Sequence, residues 1–375
     1  MRDALAERLL FKKVLYEWDY EKISKERPLL QAMAAFKYDG YQQFAPGMKF
    51  IESFALWLGQ FDIEERRIAY DFIRNRLIFI SNAEIMHLVS IAYSDHIKPI
   101  LIERAASKVG YPEFKISKIV QSEEFNILRL QSLFLGLSDG ARIDVFRRFS
   151  KELSHEQIWP IYDISIDRAK KMKEKLEEGL SKYLEGGELE EACKFRAIFL
   201  LDDFSGSGIS YLRKEDGEYK GKIYRFYQKF GSGGNLSSFI CDDAMVHVIL
   251  YMATDKAKRY IEKMMDELLG NDWEYSVKVI QHIDDEYRVG NRDLDEDFIK
   301  NLVSNDKYYD ERIQDEHTEL GGTKDLKFGF ADCALPLILH HNTPNNSIAL
   351  LWSYDDEKYR VRGLFPRAKR HGVER

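Results

Sequence analysis

Three cysteines are all that the 375 residues contain: Cys193, Cys241 and Cys333. They lie far apart and none forms a CxxC pair, which excludes a disulfide-stapled secreted scaffold and argues against a zinc site. Glycine and proline are scarce, at 23 and 8 residues, so collagen-like and low-complexity classes are excluded as well. Long apolar runs are missing. The runs at 197–201 and 334–339 fall far short of the ~20 residues needed to cross a bilayer. The opening stretch MRDALAERLLFKKVLYEWDYEK carries charge throughout and holds no apolar signal core. These absences together lead us to expect a cytoplasmic protein with no membrane partner. An excess of basic charge is also lacking: 56 basic against 63 acidic side chains give a net charge of −7. That balance argues against a whole-surface nucleic-acid binder.

What remains is a globular composition, with 45% hydrophobic and 13% aromatic residues. A chain of this length buries about three quarters of its unfolded surface and suggests about two domains. The first third has apolar residues at helical spacing, in IESFALWLG and in IEERRIAYDFIRNRLIFI at 63–80. Ser81-Asn82-Ala83-Glu84 then reads as a capping box opening the next helix. His87 and His96 are nine residues apart, which on a helix puts them on opposite faces, so they cannot share a metal. From about residue 125 the pattern alternates. Apolar strands are expected at 130–137, 157–162, 195–201, 245–252 and 275–282, with charged amphipathic helices between them. This predicts an α/β fold with a mostly parallel sheet flanked by helices, preceded by an all-helical N-terminal region. The boundaries expected are 1–120 for the helical region, 121–367 for the α/β domain and 368–375 for a basic tail.

The segment at 197–210, AIFLLDDFSGSGIS, carries the most chemistry. An apolar strand runs into two acids, then into a turn of small residues. Gly206 and Gly208 allow a tight turn that brings backbone N–H groups close to an anion. Ser205, Ser207 and Ser210 add hydroxyl donors, and a helix expected to follow would point its positive end at the same place. Asp202 and Asp203 are suited to accept from sugar hydroxyls or to hold a hydrated Mg²⁺. In open α/β sheets ligands bind beyond the carboxyl ends of the strands, where this segment falls. Elsewhere, His341, Asn342, Asn345 and Asn346 lie in an Asn-rich turn suited to contact a base, and Gly231-Ser232-Gly233-Gly234 is read as a loop.

This segment resembles the phosphoribosyl-pyrophosphate signature of the type I phosphoribosyltransferases: an apolar strand, two adjacent acids, an apolar residue, two variable residues, then Thr/Ser-Gly-x-Thr/Ser. Here these fall on 198–201, Asp202, Asp203, Phe204, Ser205-Gly206, Ser207, Gly208, Ile209 and Ser210. The resemblance implies that Asp202 and Asp203 are the catalytic pair, contacting the ribose 2′- and 3′-hydroxyls and holding Mg²⁺ through water. It implies that Ser205, Gly206, Ser207, Gly208, Ile209 and Ser210 cradle the 5′-phosphate. Ser138, Asp139, Gly140 and Arg142, after the first strand, would form the pyrophosphate loop. The stretches ALPLILHHNTPNNSIALLW (334–352) and LFPR (364–367) are similar to the end of the phosphoribosyltransferase-like domains of bacterial conflict systems. That likeness implies an effector role in anti-phage defence with a partner protein. The basic tail implies a nucleic-acid contact.

The expectation is a protein that binds a nucleotide or phosphorylated ribose. If it is an enzyme, it transfers at ribose C1. The alternative is a catalytically inactive nucleotide or nucleic-acid sensor, because the long closing loop of the familiar enzymes is missing between 159 and 165. A further alternative is an S-adenosylmethionine-dependent methyltransferase, since Asp-Pro-Phe-x-Gly-Ser-Gly loops look similar. Asp203 stands where that loop has Pro, however, and the chain has no Asn/Asp-Pro-Pro-Tyr/Phe/Trp motif.

Overall fold

The computed structural model describes residues 3–44, 47–269, 272–291, 296–315, 318–353 and 361–367. Two compact units divide the chain. Residues 85–283 form one, and residues 1–84 together with 284–375 form the other. Among the described residues the strands are β1 (Ile78–Ile80), β2 (Ser132–Gly136), β3 (Ile158–Trp159), β4 (Phe195–Ser205), β5 (Arg213–Glu215), β6 (Glu218–Lys220), β7 (Ile240–Thr254), β8 (Glu274–Ile283) and β9 (Leu337–Leu339).

In the unit spanning 85–283, five strands form a sheet in the order β3-β2-β4-β7-β8, with every neighbouring pair parallel. Parallel neighbours need long crossovers. The helices Ile143–Phe149, Ile166–Leu180, Lys222–Phe230 and Asp255–Leu269 supply them. The strands are near-continuous apolar runs because helices cover them. Alternation along the pleat splits each strand between two faces. Ile198 and Leu200 join a core with Met172, Leu176, Phe226 and Met265. Phe199 points the other way, stacking on Phe134 at 5.1 Å and on His247 at 5.0 Å. The expected α/β class, with a mostly parallel sheet flanked by helices, is the class found.

Burial of His247 on that second face has a consequence for acid stability. Its Nδ1 lies 2.8 Å from the Ser276 hydroxyl. Burial, with Arg104 adding to it, pushes its pKa down to about 4, against a weaker opposing pull from Glu274. The unfolded chain takes up this proton near pH ~6.5, whereas the folded chain resists until about pH 4. Stability therefore falls as pH drops through that window, by about 2 kcal/mol at pH ~5. The variant His247→Gln should lose about that much of the difference between its neutral and pH ~5 urea midpoints. An unchanged difference would assign the acid sensitivity to other groups.

The other unit joins the two ends of the chain. β1 pairs in parallel with β9, from Ile78↔Leu337 to Ile80↔Leu339. Phe365, fully buried, sits against Tyr38, Tyr41, Phe44, Phe50 and Phe79. Trp57 donates its indole N–H to the Leu350 carbonyl at 2.8 Å, and Ser53 donates to the Leu364 carbonyl at 2.7 Å. The LFPR stretch is thus largely a core plug.

Two expectations change here. The boundary at 120 does not hold. Helices between Ile85 and Val120 group with the sheet, and segments beyond 283 group with the N-terminus, where β9 pairs with β1. The helix expected across 63–80 stops at Arg76 and gives way to β1. Its last apolar residues, Leu-Ile-Phe-Ile, satisfy either period when read without their distant partner. The Ser81/Glu84 box forms as expected, with the Ser81 N–H donating to the Glu84 carboxylate at 2.7 Å and the Glu84 N–H donating to the Ser81 hydroxyl at 3.3 Å. The tail at 368–375 lies outside the described residues. No helix among the described residues is long and apolar enough to cross a membrane.

Candidate functional site

β2 is the first strand of the five in chain order, and it sits between the second and the third. The sheet order reverses at the β2–β4 junction, and in doubly wound sheets the crevice beyond the carboxyl ends at such a reversal is where ligands bind. The register Ser132↔Ala197 to Gly136↔Leu201 brings the two strand ends level. The Leu137 N–H donates to the Leu201 carbonyl at 2.9 Å. Beyond that bond, β2 enters the Ser138–Arg142 turn and β4 presents Asp202 and Asp203. The structure therefore brings together two turns whose residues Ser138 and Asp202 are 64 positions apart in sequence.

The pleat sends the adjacent acids to opposite sides of β4. Asp202 continues the Ile198 and Leu200 face and is 0% exposed. Its Oδ1 accepts from the Ser138 hydroxyl and from the Asp203 N–H, the latter at 3.2 Å. Its Oδ2 accepts from the Tyr211 hydroxyl at 2.8 Å and from the Lys222 ammonium at 2.5 Å. Burial pushes the Asp202 carboxyl up from the ordinary carboxylate range. Asp203 pushes the same way, while Lys222 and Ser138 hold it down. Tyr211, completely buried beside both acids, is pushed well above the usual phenol range, chiefly by burial. Asp203 is half-buried on the other side, against Gly140. A Cβ on Gly140 would fall 2.4–2.6 Å from the three Asp203 carboxyl atoms, so only glycine leaves that space.

Both turns are held from behind. The Tyr251 hydroxyl donates to the Ala141 carbonyl at 2.7 Å. Arg142 follows in the left-handed region, with φ 47°, which is uncommon for a side chain larger than Asn. In the second turn the Gly208 N–H donates to the Ser205 hydroxyl at 3.1 Å and the Ile209 N–H to the Ser207 hydroxyl at 3.4 Å. Each serine hydroxyl accepts there and still carries its own O–H proton. Thr254 donates to the Gly206 carbonyl at 2.7 Å and accepts from the Ala257 N–H at 3.0 Å, which ties the turn to the start of the helix Asp255–Leu269.

The residue pattern inside this chain matches the family model PRTase-CE over residues 55–367. The chain belongs to the PRTase-CE family. PRTase-CE is a family of phosphoribosyltransferase-like domains. The match covers the whole 85–283 unit and takes in both stretches of the other unit, so the features that define PRTase-CE membership are not confined to the sheet. No curated protein and no solved structure matches the chain.

Within this PRTase-CE fold the remaining expectations divide. Ser138, Gly140, Asp202 and Asp203 converge. Ser205, Gly206, Ser207 and Gly208 form a buried turn, Ile209 is half-buried, and Ser210 and Asp139 are exposed. The helix expected to follow Ser210 is not there. Asp216 and Gly217, with φ 51° and 83°, close a two-residue hairpin between β5 and β6. Asp-Gly is a strong hairpin signal, and it was the clue in the sequence. The helix facing the turn is Asp255–Leu269, reached only through the fold. His341, Asn342, Asn345 and Asn346 belong to the other compact unit. There the Asn346 amide donates to the Phe330 carbonyl at 3.2 Å and to the Cys333 sulfur at 3.3 Å, and Asn342 accepts from the Thr343 N–H at 3.1 Å. The Asn346 amide N–H groups are therefore engaged within their own loop. The Gly231–Gly234 loop caps a helix: Gly231 N–H donates to Tyr227 O at 2.7 Å and Leu236 N–H to Lys229 O at 2.8 Å. Tyr211, Lys222 and Thr254 are the site residues that sequence reasoning missed.

Mg²⁺ held through water by Asp202 and Asp203 was expected. All four acceptor positions of the Asp202 carboxylate are taken by donors of the chain, so Asp202 does not fit a metal ligand. Among the described residues no group of three or more His, Cys, Asp or Glu side chains is placed to hold a metal.

Proposed function

We propose that this PRTase-CE protein binds a phosphorylated ribose, as in phosphoribosyl pyrophosphate or a nucleotide, beyond the carboxyl ends of β2 and β4. The observation that carries the reading is the convergence of Ser138–Arg142 with Asp202–Gly208 at the point where the sheet order reverses. Donors and an acceptor meet there, as a sugar phosphate requires. Asp203 accepts from a ribose hydroxyl. The hydroxyl protons of Ser205 and Ser207 face the 5′-phosphate, and Arg142 supplies positive charge beside the Ser138–Gly140 turn for the pyrophosphate end. If turnover occurs, the bond from ribose C1 to the pyrophosphate oxygen breaks, the pyrophosphate leaves with that electron pair, and an acceptor nitrogen bonds to C1.

Calorimetry with phosphoribosyl pyrophosphate, nucleoside mono- and diphosphates, each with and without Mg²⁺, tests the reading. Wild type should bind at least one of them. Asp203→Asn should bind it roughly 10–100-fold more weakly, the value of one charge-assisted hydrogen bond. Heat from none of these ligands, or equal affinity in Asp203→Asn, would sink the assignment.

One observation favours a second, non-enzymatic reading. The connection after β3 is short and packed down: Tyr162 N–H donates to Gly136 O at 3.2 Å, and the Pro160 carbonyl lies against Gly136, where a Cβ would approach it to 2.2 Å. It is not built to close over a ligand, and water-excluding closure is what such transfers ordinarily use. Pyrophosphate release with a nucleobase acceptor separates the two readings. A role in bacterial defence with a partner protein rests on the similarity of 334–352 and 364–367, and the nucleic-acid contact rests on the 368–375 tail.

A further inference from the structure

Two adjacent acids at a strand end invite the assumption that both touch the ligand. The geometry points elsewhere: we infer that Asp202 is a positioning residue, held by Lys222, Tyr211 and Ser138 to fix the two turns of the site, and that Asp203 alone of the pair faces the sugar. This deepens the ligand reading above and rests on it for the sugar contact.

Four donors fill the Asp202 carboxylate, and they come from four different segments of chain. Ser138 belongs to the turn after β2, the Asp203 N–H to β4 itself, Tyr211 to the loop after the Ser-Gly turn, and Lys222 to the first position of the helix Lys222–Phe230. A carboxylate offers about four lone-pair sites, so a ribose hydroxyl would have to displace one of them. The donors are themselves constrained. Tyr211 lies entirely buried, and its hydroxyl also reaches the Phe204 carbonyl at 3.0 Å. The Lys222 ammonium sits 4.8 Å from the centre of the Tyr211 ring as well as on Asp202. Gly221, at φ 120°, leads into Lys222 where a Cβ would meet the Tyr211 carbonyl at 2.4 Å. That backbone is available to glycine and fixes where the lysine emerges. Asp202 therefore joins the pyrophosphate-side turn to the phosphate-side turn, while the pleat leaves Asp203 on the opposite side of β4 against Gly140.

The two roles respond differently to a paired substitution. Removing either Asp202 or Lys222 alone strands a buried partner charge. Removing both with near-isosteric groups strands none. Asp202→Asn and Lys222→Met are each expected to lower Tm by roughly 10 °C and to weaken sugar-phosphate binding about tenfold or more. They should also shift the amide NMR signals of Gly140 and Ser205–Gly208. The double variant Asp202→Asn/Lys222→Met should recover Tm, amide positions and affinity together. A double variant that recovers Tm and amide positions but stays as weak in binding as Asp203→Asn would overturn the inference, because the carboxylate itself would then be touching the ligand. Independent, additive Tm losses would overturn it too. Should wild type bind no sugar phosphate, the ligand reading fails by itself, and the Tm and amide couplings still decide whether Asp202 holds the turns.

Discussion

Gly140→Ala is expected to abolish most ligand affinity, by about 100-fold, while leaving the fold nearly as stable as wild type. Its Cβ would sit 2.4 Å from the Asp203 Cγ and within 2.6 Å of both carboxylate oxygens. Those distances are far inside van der Waals contact, so something must move. Gly140 does not occupy the left-handed region, so alanine suits its backbone. The atoms in the way are the end of one side chain, which rotates at a cost of about 1 kcal/mol. The yielding group is thus Asp203, the acceptor proposed for the ribose hydroxyl. Calorimetry paired with a urea titration reads both halves. The reading fails if affinity holds while the alanine is present, since Asp203 would then be displaceable without consequence for the ligand.

Gly208→Ala should fail in the opposite way, through the fold. Gly208 has φ 82°, where a Cβ costs roughly 1–2 kcal/mol. The added atom would also lie 2.8 Å from Tyr260 Cδ1, 3.0 Å from the Ala257 carbonyl and 3.1 Å from Ile261 Cγ1. Ala257 and Ile261 are fully buried on the helix Asp255–Leu269. That helix is anchored to the same turn through Thr254, so it does not move aside freely, and overpacking adds about 1–3 kcal/mol. The sum is a loss of about 2–5 kcal/mol, seen as a lower urea midpoint with an unchanged slope. Ser207→Ala, at the preceding residue of the same turn, adds no atom and should cost much less. Equal losses for the two variants would mean that the turn tolerates crowding and is not pinned as described.

The periodicity of the chain foretold a good deal. Apolar runs such as Phe195–Leu201 and Met245–Met252 fall inside β4 and β7, and the charged amphipathic stretches after Ser165 and Thr254 hold the helices Ile166–Leu180 and Asp255–Leu269. Local rules suffice there, because a strand covered on both faces and a helix with one apolar stripe each write their surroundings into adjacent residues. The Asp-Gly turn at 216–217 was equally local, and it explains why no helix follows Ser210.

Adjacent residues also showed that 197–210 is chemically unusual: paired acids followed by a serine–glycine turn, at the end of a buried strand. They could not show which acid does what. Asp202 and Asp203 are indistinguishable in one dimension, and only the pleat, with Lys222 twenty positions on and Ser138 sixty-four positions back, separates a buried hub from a half-exposed acceptor. The same holds for the two compact units. Strand β1 is too short to declare itself, and its partner β9 lies near the other end of the chain. What the sequence by itself determined is the class of the long periodic elements and the place of the serine–glycine turn, since both follow from neighbours along the backbone. The partition of the chain, the helix that holds Gly208 and the division of labour between two adjacent carboxylates were decided by tertiary structure alone, because each depends on groups that are distant in sequence and meet only when the sheet closes its register.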